Sequence, residues 1–410
     1  MHRPLEGLKV IDLTIFLSGP FCTQLLAALG ADVIKIERPG SGDAARFNPP
    51  YFDSRGLHFE PPEPGSLSLS ILKRNRNKRS VTLNLKTEKG KGIFKDMIKK
   101  ADIVTENFSP GTMGRLGLGY DVLKSVNPRL IYCCISGFGQ YGPYRDRTAF
   151  DIIIQAMSGL MAVTGFRDGP PLRTDVSVGD LIASLYSAVG ILAALRFRDK
   201  TGKGQMIDVS MLDGVFSFLF DEAKDLYASL GLPDRTGNHR LRLTPFGVFE
   251  AKDGYVAICI ATDDQCYRLF QCMGREDLIT HPKFTTLEAR WNNVEEVIST
   301  IEEWTRTKPK DELVEELTQE HLPCGPVVSI KEIVHDPQLA SREMIIPVEH
   351  PLFGRVKGAI GTGMPIKMSE TPCSFDQPAP LLGQHNEEVY QELLGYSPED
   401  IARLKEEGVV

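Results

Sequence analysis

Leu8 to Thr14 reads as a buried strand, Ser18-Gly19-Pro20 as a turn, Phe21 to Leu29 as a helix stopped by Gly30, and Asp32 to Glu37 as a second strand. Two strands joined through a helix pair as parallel neighbours, a β-α-β unit. The alternation continues. Ser80 to Leu85 is strand-like, Thr87 caps a helix with an apolar face at Ile93, Met97, Ile98 and Ala101, and Asp102–Glu106 and Leu130–Ser136 are further strands. Parallel sheets are buried on both faces. The expectation is an α/β fold, with a Rossmann-like large domain covered by helices on either side.

At 410 residues the chain exceeds one comfortable hydrophobic core, and its pattern changes after about residue 215. Pro245–Glu250 and Tyr255–Ile260 flank an Asp-Gly hairpin signal. Charged helices follow at Asn292–Thr305 and Pro309–Glu320, the second with Thr307 as candidate cap. We read a large domain at 1–215 and 330–410, a smaller α+β domain at 228–325, and linkers at 216–227 and 326–329. Residues 39–72, rich in Pro, Gly and Ser, break the rhythm and read as a surface excursion over a site.

Composition removes several classes of function. A net charge of -7 argues against a nucleic-acid partner. The eight cysteines form no C-x-x-C pair and no zinc-type spacing, so they read as reduced residues and no metal is expected. The longest uncharged apolar run, Leu181–Leu195, is short for a bilayer and reads as a buried helix. The chain enters its first strand without a signal-type apolar stretch, and a soluble cytoplasmic protein with no membrane partner is expected.

Spacing alone leaves the chemistry open. The first turn, Phe16-Leu17-Ser18-Gly19-Pro20-Phe21, lacks G-x-G-x-x-G, which argues against NAD or FAD. Lys73-Arg74-Asn75-Arg76-Asn77-Lys78-Arg79 suits either a solvated loop or a compact polyphosphate. The loops Thr105–Gly111, with Arg115 beyond, and Ser136–Pro143 leave the carboxyl ends of strands, where parallel sheets bind ligands. Asp180 opens the apolar helix and is either an N-cap or an anionic nucleophile favoured by the helix terminus, with Asp151 and Asp175 competing for that role.

Taken together, ordered blocks along the chain resemble the class III CoA-transferase family, which includes formyl-CoA and carnitine CoA-transferases and shares its fold with alpha-methylacyl-CoA racemase. The blocks are Pro4–Asp12, Gly30–Gly40, Asn77–Ser80, Glu106–Gly111, Thr201–Gln205, Pro323–Val327 and His335–Pro337. The resemblance implies that Leu17 and Ser18 meet coenzyme A. It places Arg38, Asn75, Arg76, Asn77, Lys78 and Arg115 on the nucleotide and its phosphates. It puts Asn107 and Phe108 on the adenine and pantetheine, and Ser136, Gly137, Phe138 and Gly139 near the thioester. Asp180 matches the catalytic aspartate. No cofactor is implied beyond coenzyme A as substrate; the partners are an acyl-CoA and a carboxylic acid.

The same resemblance implies an interlocked dimer, either a homodimer or a pairing with a related subunit. It also implies transfer through aspartyl anhydride and aspartyl-CoA thioester intermediates. Arginines that suit a non-reacting carboxylate make succinyl-CoA the expected donor. A dicarboxylic acceptor is read from Arg55 and His58 in the excursion and from the arginines of Arg235–Arg242, and an aromatic succinate suits the neighbouring rings. Two departures matter. Ala149-Phe150-Asp151 replaces the racemase's Gly-His-Asp, and Arg235–Arg242 carries no glycine run, so formate and oxalate are not the expected substrates. The alternatives are an acyl-CoA racemase or epimerase and a non-catalytic CoA-binding subunit of a hetero-oligomer.

Overall fold

A computed structural model describes residues 2–220 and 223–410. Six strands form an all-parallel sheet: β1 (Lys9–Asp12), β2 (Asp32–Glu37), β3 (Lys78–Thr82), β4 (Ile103–Glu106), β5 (Ile131–Ser136) and β6 (Met206–Ser210). Their order is β3-β2-β1-β4-β5-β6. This is the dinucleotide-fold order, in which ligands lie outside the carboxyl ends of the strands where the winding reverses, between β1 and β4. Ile11, Ile34, Val81 and Val104 on the strands pack with Phe94 and Met97 of the helix Glu88–Ile98, whose cap is Thr87. The closing helices Asn386–Leu394 and Pro398–Glu406 return to this core through Val389, Tyr390 and Ile401.

The first helix runs Ser18–Ala28, three residues earlier at its start than the sequence reading. Pro20 is tolerated there because the first-turn N–H groups have no intrahelical partner. That shift makes Ser18 the opening residue of the helix rather than part of a separate turn. The later apolar helix also extends further than its uncharged run, over Val178–Thr201. By length and composition this helix could cross a bilayer. In the fold only one face is buried, with Ala183, Ser187, Ile191 and Leu195, and Arg198 pairs with Asp102 at 2.8 Å. Leu185, Tyr186, Val189 and Leu192 are exposed, so the expectation of a buried helix holds for that face alone.

The chain divides into two compact units. One holds residues 1–158, 175–219 and 336–410; the other holds 159–174 and 220–335. The sequence reading placed 159–174 in the large domain and ended the small domain at 325. Arg235 shows why 159–174 belongs elsewhere: it donates to the carbonyls of Ala162, Phe166 and Gly169. In the second unit, Phe246–Ala251, Gly254–Cys259 and Cys324–Pro326 make an antiparallel sheet over a core that includes Phe249, Ile258, Phe270 and Leu313. The helix Lys310–Gln319 is not capped by Thr307; Asp253 accepts the Lys310 N–H at 2.8 Å. The expected linker at 216–227 begins inside the helix Met211–Leu219. Its residues Asp221 and Glu222 lie outside the described residues.

Candidate active site

Five loops leave the carboxyl end of the sheet, and side-chain bonds fix the first of them. Asn107, just past β4, brackets Ile15: its Oδ1 accepts the Ile15 N–H and its Nδ2 donates to the Ile15 carbonyl, both at 2.8 Å. The same Nδ2 reaches the Ser18 hydroxyl at 3.3 Å. Asn107 thus shapes the loop after β1. Phe16 sits in the left-handed region at φ 63°, where a bulky side chain is strained. Its N–H is held by Asp43 Oδ1 at 3.1 Å. Leu17 is the N-cap position of the first helix and offers no side-chain cap.

Asp180 lies in the first turn of Val178–Thr201, against Ser18. The Ser184 hydroxyl ties the two helices, donating to the carbonyls of Ser18 (2.6 Å) and Asp180 (2.7 Å). Burial, and next the neighbouring charge of Asp151, push the Asp180 carboxyl up to about 6. The hydroxyl and main-chain N–H of Ser18 and the charge of Arg74 work in the opposite direction. Asp151, one of the competing candidates, has its carboxylate occupied: Oδ1 accepts the Gly179 N–H at 2.7 Å and Oδ2 the Gln155 amide at 2.6 Å. Asp151 thereby holds the helix entry. Among the described acids, Asp180 combines burial, a raised proton affinity and hydrogen bonds from Ser18.

Ser136 ends β5 and is buried with an unpartnered Oγ, and beyond it Phe138 packs edge-on against Tyr144 at 5.7 Å. A Cβ on Gly137 would stand 2.6 Å from Ala149 Cβ, so only glycine lets this loop pass so close to the segment carrying Phe150 and Asp151. Gly139 has φ 82°, and the N–H of the next residue, Gln140, is anchored on Asp208 at 2.9 Å.

A cavity of about 600 Å³ opens across the ends of β1, β2, β3 and β4. Its lining includes Leu13, Ile15, Arg38, Asn84, Lys86 and Phe108. Phe108 is supported from below by Glu106, which accepts its N–H at 2.7 Å and the Tyr132 hydroxyl at 3.2 Å. Burial raises Glu106 to about 7 against those two bonds. An apolar slot with a ring on one wall and two exposed cations at its mouth suits a purine nucleotide with phosphates. Arg115 is exposed nearby, donating to Thr112 Oγ1 at 2.8 Å.

The assignment of Asn75, Arg76, Asn77 and Lys78 to phosphate contacts is corrected. They lead into the amino end of β3, whereas the cavity lies past its carboxyl end. Lys78 is buried with all three donors used, on Asp12 Oδ2, the Pro20 carbonyl and Asn75 Oδ1, each at 2.9 Å. Burial opposes ionisation of Asp12, yet the charges of Lys78 and Lys35 hold it at about 2. Arg76 bonds the Thr362 carbonyl and lies over Phe375, and Asn77 accepts the N–H groups of Asp376 and Gln377. The residues missed are Leu83, Asn84, Leu85 and Lys86, which follow β3 as the other cavity loops follow their strands.

Of the expected acceptor arginines, Arg55 and Arg235 are engaged elsewhere, while Arg240 and Arg242 line a cavity of about 450 Å³ in the second unit with Lys224 and His239. Arg55 pairs with Asp53 (2.6 Å) and Glu63 (3.1 Å), and His58 with Asp53 (2.9 Å), so the excursion's charges close on one another. Arg235 is occupied by the three carbonyls described above.

The family model for CoA-transferase family III matches residues 5–386. The formyl-CoA:oxalate CoA-transferase of Streptomyces avermitilis is 38% identical, with both chains covered in full. The succinyl-CoA–D-citramalate CoA-transferase of Chloroflexus aurantiacus is 37% identical over all of this chain and 98% of that one. A CAIB/BAIF family protein from Brucella suis superposes with a TM-score of 0.82 at 36% identity, covering 96% of this chain and 100% of the other. The Rv3272 protein of Mycobacterium tuberculosis gives 0.80 at 29% identity, with 94% and 98% covered. The chain belongs to CoA-transferase family III and is a CoA-transferase.

Proposed function

We propose that this enzyme moves coenzyme A from succinyl-CoA to a dicarboxylic acid by double displacement on Asp180. The carboxylate attacks the donor carbonyl, forming a mixed anhydride and expelling CoA thiolate. The thiolate attacks the aspartyl carbonyl, giving an aspartyl-CoA thioester and free succinate. The acceptor carboxylate attacks that thioester and again expels thiolate, which takes the acyl group from the second anhydride and restores Asp180. The observation that carries this reading is the raised but ionisable Asp180 beside Ser18 at a helix amino terminus. At neutral pH such a carboxylate is an anion and more basic than usual, so no separate base is required. N–H groups along Gly137, Phe138 and Gly139 are suited to stabilise the oxyanions.

Arg38, Lys86, Phe108 and Arg115 hold the nucleotide end of coenzyme A in this reading, and no other cofactor takes part. Leu17 and Ser18 stand on the thioester side. Phe150, where a racemase needs a proton-exchanging base, is packed edge-on against Phe16. The relatives' names include both oxalate and citramalate, dicarboxylic acids of different size. The arrangement is an interlocked dimer in the cytoplasm, formed with a second copy or a related subunit; sedimentation on dilution reads it, and an active monomer contradicts it. Steady-state assays of succinyl-CoA and acetyl-CoA against an acid panel test the substrate class. Equal turnover of monocarboxylic acids and their dicarboxylic analogues would overturn it.

A further inference from the structure

Arg74 ends the helix Leu69–Arg74 and is half-buried. Its hydrogen bond is a long one, from Nη1 to the Phe16 carbonyl at 3.4 Å. Arg46, Arg79 and Arg198 in the same unit have carboxylates, Glu37, Asp32 and Asp102, while Arg76, which has none, is held by the Thr362 carbonyl and covered by the Phe375 ring. Arg74 makes no such pair among the described residues, although Asp180 and Asp43 are near enough to act on it electrostatically. A partly desolvated guanidinium with most of its donors unused is a site for an incoming anion.

The surroundings define the rest of that ligand. Phe16 lies between Arg74 and Phe150: its carbonyl receives Arg74, and its ring meets Phe150 edge-on with centroids 5.8 Å apart. Phe150 is 60% exposed, an apolar surface one residue before Asp151, which holds the Asp180 helix entry. A carboxylate that is to attack at Asp180 needs its lone pairs free, and a guanidinium fork would occupy them. Arg74 stands off from Asp180, outside ion-pair contact. Its anion is therefore one removed from the reacting centre.

We propose that Arg74, Phe16 and Phe150 form the acceptor-recognition site. Arg74 takes the non-reacting carboxylate of a dicarboxylic acid, and the ring pair takes an apolar, aryl-bearing body. This rests on the covalent reading of Asp180 given above. Formation of the aspartyl thioester removes the Asp180 charge, so the acceptor anion meets less repulsion and an uncompensated Arg74 at the step that needs it.

The test uses Arg74→Leu and Phe150→Ala in the full-length enzyme at pH 8, with 2-phenylsuccinate, 3-phenylpropanoate and methylsuccinate as acceptors. In Arg74→Leu the KM for phenylsuccinate rises at least tenfold, while that for phenylpropanoate stays within twofold of its own value in the unaltered enzyme. Saturating succinyl-CoA still labels Asp180 fully. In Phe150→Ala the preference for phenylsuccinate over methylsuccinate falls about tenfold. Equal effects of Arg74→Leu on mono- and dicarboxylic acids, or loss of labelling in that variant alone, overturn the assignment. Absence of labelling in the unaltered enzyme overturns the covalent reading instead.

Discussion

Asp180→Asn should make the protein more stable while ending its activity. Burial, then the charge of Asp151, hold the Asp180 carboxyl at about 6, against about 3.9 in an unfolded chain. The folded state therefore binds this proton more tightly than the unfolded state. The stability that the protonated group contributes is complete below about pH 3.9 and is lost as pH rises through about 6. Integrated over that window, the ionised carboxylate destabilises the fold by about 3 kcal/mol at pH 8 and by about 1.5 kcal/mol at pH 5. An amide is near the carboxyl in size, does not ionise, and still accepts the Ser18 hydrogen bonds. Urea denaturation at both pH values measures the difference. The Asn variant should gain about 1.4 kcal/mol more, relative to the unaltered protein, at pH 8 than at pH 5. A variant that is well folded yet less stable, or whose advantage does not grow with pH, would refute the electrostatic reasoning.

The same shift gives the enzyme an acid limb near pH 6 in kcat/KM, because the ionised carboxylate is the attacking form; a limb near pH 4 in initial-rate profiles contradicts it. Arg38→Ala and Lys86→Ala should each raise the KM for acyl-CoA about tenfold and leave the acceptor KM within twofold, read from two-substrate kinetics. Lys78→Met should act on stability instead. It removes the hydrogen-bonded lysine from buried Asp12, leaving Lys35 and the Thr14 and Thr23 hydroxyls to compensate it, and costs about 3 kcal/mol by denaturant titration, with the acyl-CoA KM of the surviving enzyme unchanged.

The parallel sheet was legible because strand runs, turn residues and helix caps are local signals, as at Thr87 and Gly30. The loops after β1, β2, β4 and β5 were legible for the same reason, since each follows a recognisable strand. The cavity loop after β3 was not. Charge density points to Asn75–Lys78, although they precede the strand read at Ser80–Leu85 and so lie at its amino end; what the sequence does not display is that Lys78 is consumed there by Asp12, Pro20 and Asn75. Leu83–Lys86 carries a single charge and went unnoticed, although the rule used for the other loops points to it once β3 is drawn to end at Thr82. Arg55 and His58 looked available because Asp53 and Glu63 are neutralising partners only after the excursion folds back on itself. Arg74 was read as one member of a run. Only the fold separates it from its neighbours by aiming it at the Phe16 carbonyl.

Covalent attachment to Asp180 is the claim on which the mechanism stands, and mass spectrometry of the enzyme mixed with succinyl-CoA and quenched in acid addresses it most directly. The account requires a coenzyme A adduct on the peptide containing Asp180. Hydroxylamine should convert it to the hydroxamate, a carboxylic acceptor should discharge it, and Asp180→Asn should lack it. An enzyme that turns over with no adduct on that peptide under single-turnover quenching, or whose Asp180→Asn form retains activity, contradicts the account.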